Sequence, residues 1–133
     1  MYERILVPLD ASTVDDAVLD HVSRLALIHN SLVILLRVAH YHTRDSRSHE
    51  VEDAELHLKD AAERLKKSGL KVETVLEHGE PADVILKCVE QTRCDLLAMS
   101  THGHKWLYDT LFGSVIDKVR HDVNVPVLLI KGH

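Results

Sequence analysis

Two hydrophobic periods alternate along this chain. Short runs in which nearly every residue is apolar, as in strands covered on both faces, are separated by longer stretches whose apolar residues return every three or four positions. "RILVPL", residues 4–9, is the first run and predicts a buried strand closing near Pro8. The period then changes: Ser12 can cap a helix with Asp15 and Asp16 in its first turn and Val14, Ala17, Val18, His21, Val22, Leu25 and Ala26 on its inner face. "SLVILLRVA", residues 31–39, predicts a second fully covered strand, and the polar segment 40–49, "HYHTRDSRSH", reads as a loop. Over 50–68 a helical stripe of Ala54, Leu58, Ala61, Ala62 and Leu65 stops at Gly69, a suitable C-cap. "LKVETVLEHG", residues 70–79, returns to a strand whose polar alternation predicts a sheet edge. Pro81 suits the first turn of a third helix with Ala82, Ile85, Leu86 and Val89 inside. "CDLLAMS", residues 94–100, is the fourth strand, and a helix from about Ser114 to Asp122 and the strand "VPVLLIK", residues 125–131, complete the pattern.

Strands and helices alternate five times with no Pro/Gly/Ser-rich linker and no second zone of composition. The expected fold is one α/β domain over residues 1–133, doubly wound in three layers around a five-stranded parallel sheet of order 3-2-1-4-5. In such sheets ligands sit beyond the carboxyl ends of the strands where strand order reverses, here between the first and fourth strands. The loop after each of those strands would face that crevice.

Composition narrows the function. A chain of 133 residues, 45% hydrophobic, has the size and composition of one globular domain. A formal charge of −5 with 4% aromatics lacks both the basic stripe and the stacking platforms that nucleic acid requires. A small anion can still bind locally at a helix N-terminus. No apolar run approaches the roughly 20 residues of a membrane helix, and the first residues lack the apolar core of a signal peptide, so a cytoplasmic protein without a membrane partner is expected. Cys88 and Cys94 form neither a C-x-x-C pair nor half of a zinc framework and read as packing residues. His40, His42, His49, His102 and His104 fall in polar segments without a fixed ligand spacing, so no metal site is assigned. No G-x-S-x-G elbow is present, and no residue is assigned a catalytic role.

The segment "STHGHKWLYDTLFGSV", residues 100–115, carries the chemistry. Gly113 and Ser114 stand at the start of a helix, where unpaired first-turn amides and the hydroxyl can converge on one anion. Gly103 would let the loop approach a ligand closely. The spacing is neither G-x-x-x-x-G-K-S/T nor G-x-G-x-x-G. On these residues alone, a surface loop with a turn at Gly103 and a cap at Ser114 is an equal reading.

Together, "ILVPLDAS" near the start and "STHGHKWLYDTLFGSVIDKVRHDVNVPVLLIK" near the end resemble the universal stress proteins of the UspA superfamily. Members that bind ATP carry G-x2-G-x9-G-S/T between the fourth strand and the following helix. Here the register gives Ser100, Gly103, Gly113 and Ser114, with serine at the first anchor. Glycine there would let ribose or phosphate lie against bare backbone. The resemblance implies ATP, with Mg2+, as ligand. It also implies that Pro8, Leu9 and Asp10 line the adenine and ribose pocket, that the main chain of Val38 reads the adenine edge, and that Met99 lies beside Ser100 in the same site. Val115 would offer its amide to phosphate. Asp10 could accept a ribose hydroxyl or hold a Mg2+ water. A two-fold homodimer through the fifth strand, a stress-response role and an unidentified protein partner are further implications. Two alternatives stand beside this one: a dimeric interaction protein that has lost ATP binding through Ser100, and a slow ATPase.

Overall fold

The computed structural model describes residues 1–9, 14–39, 44–101 and 112–131, with backbone alone for residues 14, 44–50 and 112–114. In chain order the elements are β1 (Arg4–Leu9), α1 (Val14–His29), β2 (Leu32–Ala39), α2 (Arg44–Lys67), β3 (Lys71–His78), α3 (Pro81–Thr92), β4 (Leu96–Ser100), α4 (Phe112–Asp122) and β5 (Val127–Ile130). All strand pairings are parallel, in the order β3-β2-β1-β4-β5. This is the doubly wound arrangement that the alternating periods predict.

Alternation along each strand divides the core between two faces. Val33 and Leu35 of β2 pack with Ile5, Val7, Val18, Val22, Leu58 and Leu65 beneath α1 and α2. Ile34, Leu36 and Val38 face the other way and pack with Leu6, Ile85, Val89, Leu97, Met99 and Val119 beneath α3 and α4. β1 is buried from Ile5 through Leu9, because it lies mid-sheet under both layers. β3, at one edge, is never more than partly buried, which accounts for its mixed polarity. Cys88 and Cys94 are both buried thiols of the α3/α4 layer. Burial pushes both thiols up, which leaves little thiolate and suits a packing role.

Two helix starts differ from the sequence pattern. α2 begins at Arg44, so residues 44–49 of the expected loop are helical. Residues 44–50 contain neither proline nor glycine, and a helix extending beyond its apolar stripe leaves no periodic signal to read. α4 begins at Phe112, so Gly113 and Ser114 lie inside its first turn. Glycine, a poor helix former, hid that start in the sequence. Gly69 behaves as expected: at φ +89° it ends α2, while its amide bonds to the carbonyl of Lys66 at 2.9 Å and that of Leu70 reaches back to Leu65 at 3.3 Å.

The amino end of the sheet is tied shut by polar contacts. Asp95, just before β4, accepts the amide of Glu3 on Oδ2 at 2.9 Å and that of Arg4 on Oδ1 at 3.0 Å. Its own amide bonds back to the carbonyl of Arg4 at 2.9 Å, and Arg4 Nε donates to the carbonyl of Thr92 at 2.7 Å. Burial alone would raise the Asp95 carboxyl, but the amides of Glu3, Arg4 and Asp95 itself, with the N-terminal charge, together outweigh it and hold the group below the ordinary aspartate range. A depressed folded-state pKa adds stability above the ordinary value, and that stability disappears as pH falls through the depressed one. Asp95→Ala should therefore lose about 1 kcal/mol in urea unfolding at neutral pH, and its deficit against the parent should shrink as the pH is taken below about 4.

Candidate functional site

β1 lies between β2 and β4, where the strand order reverses, and its two ladders have unequal lengths. Toward β2 the register runs without a break from Arg4↔Leu32 to Leu9↔Arg37. Toward β4 it pairs Ile5 with Leu96 and Leu6 with Leu97, and the described ladder goes no further. Both strands continue, β1 to Leu9 and β4 to Ser100, while β4 stays paired with β5 as far as Ser100↔Ile130. The last three residues of β1 and β4 therefore run on without pairing to each other. Pro8, which has no amide to donate, lies in this unpaired stretch. In doubly wound sheets the crevice that seats ligands lies at this carboxyl end, where strand order reverses.

The described site residues gather around this opening. Pro8 and Leu9 are the last two residues of β1, Val38 is next to last in β2, and Met99 and Ser100 end β4. Leu9, Val38, Met99 and Ser100 are all buried. α4 starts on the same side of the sheet, with Gly113 and Ser114 second and third and Val115 fourth; Val115 packs into the α3/α4 layer. Phe112, Gly113 and Ser114 are the first three residues of α4; first-turn amides of a helix lack intrahelical partners, and the helix dipole adds positive potential there. Asp10 and Gly103 lie outside the described residues. So do His40, His42, His102 and His104.

Near this end of the sheet, Arg37 and His57 escaped the sequence reading, and Asp15 was read only as a first-turn residue. Arg37 is nearly fully buried one residue before Val38, and by alternation it faces the α1/α2 layer. Asp15, in the first turn of α1, is also buried, and both it and Arg37 have further polar interactions. His57 of α2 approaches Asp15 in that layer, with Nε2 3.2 Å from Oδ2. Arg37, the one charged residue in the apolar run 31–39, was the available signal. A guanidinium inside a covered strand requires a built polar environment.

None of the described helices is long and apolar enough to cross a membrane. Among the described residues, no three His, Cys, Asp or Glu side chains gather as a metal ion would need.

Comparison with known proteins agrees with the architecture. Universal stress protein MJ0577 of Methanocaldococcus jannaschii is 30% identical over 155 aligned residues, covering 98% of this chain and 96% of its own. Its solved structure superposes with a TM-score of 0.83 over 100% of this chain and 98% of that one, at 31% identity. A universal stress protein in complex with cAMP superposes at 0.78 with 22% identity, covering 99% of each chain. The universal stress protein of Archaeoglobus fulgidus in complex with dAMP superposes at 0.74 with 24% identity, covering 98% of each chain. At those identities the two complexes establish likeness of fold alone. The Universal stress protein family itself matches residues 1–131, and with β1 parting from β4 in front of α4, the chain belongs to that family.

Proposed function

We propose that this protein binds ATP or a related adenine nucleotide in the crevice between β1 and β4, and that occupancy changes its contacts with partner proteins in a stress response. The observation that carries the reading is the early end of the β1–β4 ladder, facing the first turn of α4. A gap between these strand ends would seat a base and ribose while the triphosphate rests on first-turn helix amides. Two fold neighbours solved with cAMP and dAMP add support for adenine as the base. In this assignment Pro8, Leu9, Val38 and Met99 form the base side, and Ser100, Gly113, Ser114 and Val115 the phosphate side. Asp10 and Gly103 complete the set, with Asp10 the group to hold a Mg2+ water. The protein acts as a binding module.

Ser100 favours a second reading. It is buried at the end of β4, where the ATP-binding pattern has glycine, and a side chain there competes with ribose for space. In that reading the chain is a dimeric interaction protein without nucleotide. Mass spectrometry of small molecules released from freshly purified protein separates the two: bound adenine nucleotide supports the first, an empty site the second. If serine only crowds the pocket, Ser100→Gly should tighten ATP binding in calorimetric titration. Unchanged affinity would show that serine is no obstacle.

For either reading we propose a two-fold homodimer through β5. This strand is a four-residue edge with the sequence VLLI, and Leu129 is exposed on it. A short apolar edge without proline or charge invites a second strand. Light scattering at tens of micromolar should give a dimer mass, and Leu129→Lys should shift it toward monomer.

The cradle is tested at Gly113. Because the residue is helical, the backbone accommodates valine without left-handed strain, and the added branch falls on the ligand's approach. Gly113→Val should abolish ATP binding with the melting temperature and dimer mass retained. Ser114→Ala removes one hydroxyl and keeps the amides, so it should weaken binding by no more than about tenfold, the equivalent of one ordinary hydrogen bond. Parental affinity in Gly113→Val would sink the assignment.

A further inference from the structure

We infer that the outer edge of β3 is a docking strip for an extended segment of a partner protein in which apolar and basic residues alternate. The inference is independent of the nucleotide reading, since it uses β3 and α2 alone. β3 is the second edge of the sheet and differs from β5. It pairs with β2 over all eight of its residues, Lys71 to His78, and among the described residues nothing pairs with its other side. Alternate residues of a parallel strand turn N–H and C=O to opposite sides, so half of these backbone groups face outward along about 26 Å. Proline, a bulge and a very short strand are the usual ways of closing an edge, and β3 has none of them.

The two faces of this strip differ. Val72, Thr74 and Leu76 share the face covered by α2, and Val72 and Leu76 pack against the core beneath that helix. A groove of about 470 Å3 lies there, lined by Leu58 and Ala62 of α2 and by Thr74 and Leu76 of β3. Two lysines and two glutamates of α2 also line it, which leaves the groove without net charge. It offers space to aliphatic side chains. On the opposite face stand Glu73, Val75 and Glu77, with Val75 against the α3/α4 cluster. Glu73 is exposed and Glu77 half-buried, and among the described residues neither has an ion-pair partner, not even Lys71, which precedes Glu73 by two positions on the same face. A half-buried carboxylate has lost part of its water, so it attracts an incoming cation more strongly than an open surface does.

These charges select the occupant. A second copy of β3 is disfavoured, because an antiparallel pair centred on Val75 would set Glu73 of each copy opposite Glu77 of the other. A foreign strand with basic residues opposite Glu73 and Glu77 gains at both places, and its residues opposite Thr74 and Leu76 turn toward the α2 groove. The required pattern is basic, apolar, any, apolar, basic. It reads the same in either direction, so parallel and antiparallel docking both satisfy it. A net charge of −5 on the chain also draws a basic partner from a distance.

The probe is a blocked peptide, serine-lysine-valine-threonine-valine-lysine-serine, added to the full nucleotide-free chain, beside a companion in which both lysines are glutamates. The lysine peptide should bind saturably and slow amide hydrogen exchange at alternate residues of β3 while leaving β5 unchanged. The glutamate peptide should bind at least about tenfold more weakly, as expected when two cross-strand charge pairs become repulsive. Glu73→Lys/Glu77→Lys should reverse that preference. Glu73→Lys alone, at an exposed position, should narrow it and decides the matter if the double variant does not fold. Equal binding of the two peptides, or a preference that the protein's charge reversal leaves in place, overturns the proposal. So does an absence of binding at millimolar peptide, or protection confined to other strands. Protection of β3 that grows with protein concentration in the absence of peptide would make a second copy the occupant and overturn it equally.

Discussion

The central constraint is that β1 has two parallel neighbours and stays with one of them only part of the way. It follows β2 to its last residue but leaves β4 after Leu6↔Leu97. A parallel sheet gains stability from each added ladder bond and each buried aliphatic side chain, so a gap in its middle is costly unless something else uses the space. The winding direction makes the gap possible. From β1 the chain builds β2 and β3 on one side, then crosses to build β4 and β5 on the other, so the connections that follow β1 and β4 diverge.

The two ends of the sheet divide their tasks accordingly. At the amino end, Asp95 and Arg4 satisfy backbone groups of neighbouring strands and of the α3 terminus, and Ser31 adds a hydroxyl bond to the carbonyl of Tyr2. Those contacts are local, polar and complete, as expected where a fold is being closed. At the carboxyl end the chain places buried aliphatic residues beside unpaired helix amides and a strand end, a combination that serves a ligand better than it serves the apo protein. The central aliphatic layers lie between these two ends and hold the sheet that joins them.

The sequence was most legible where one physical cause acts alone. Strands covered on both faces must be almost wholly apolar, so β1, β2 and β4 stood out as runs, and Gly69 announced the end of α2 because few other residues tolerate its positive φ. Legibility failed where polarity and structure separate. The first two turns of α2 carry no apolar stripe, and α4 starts with a glycine in its first turn, so both helices begin earlier than their patterns suggest. Of the candidate site, the positions on strand ends and on α4 follow from topology once the strand order is known. Asp10 and Gly103 depend on the motif resemblance alone. The pairing of Asp15 with His57 was the least legible, since the two are far apart in the chain and meet only in space.

Polar pairs also join the two helices of one layer at this end of the sheet. In the proposed site the layer of α3 and α4 would supply the first-turn amides and most of the apolar wall. On the opposite wall, β1 is held beyond Leu6 by its ladder to β2 and not by one to β4. The α1/α2 layer adds to that restraint, and aliphatic packing alone gives a helix start little resistance to sliding along its own axis. A buried carboxylate does resist, since any displacement separates it from the groups that replaced water when it was buried. Polar groups cost stability in a core. Between two helices of one layer, they add the positional definition that aliphatic packing lacks.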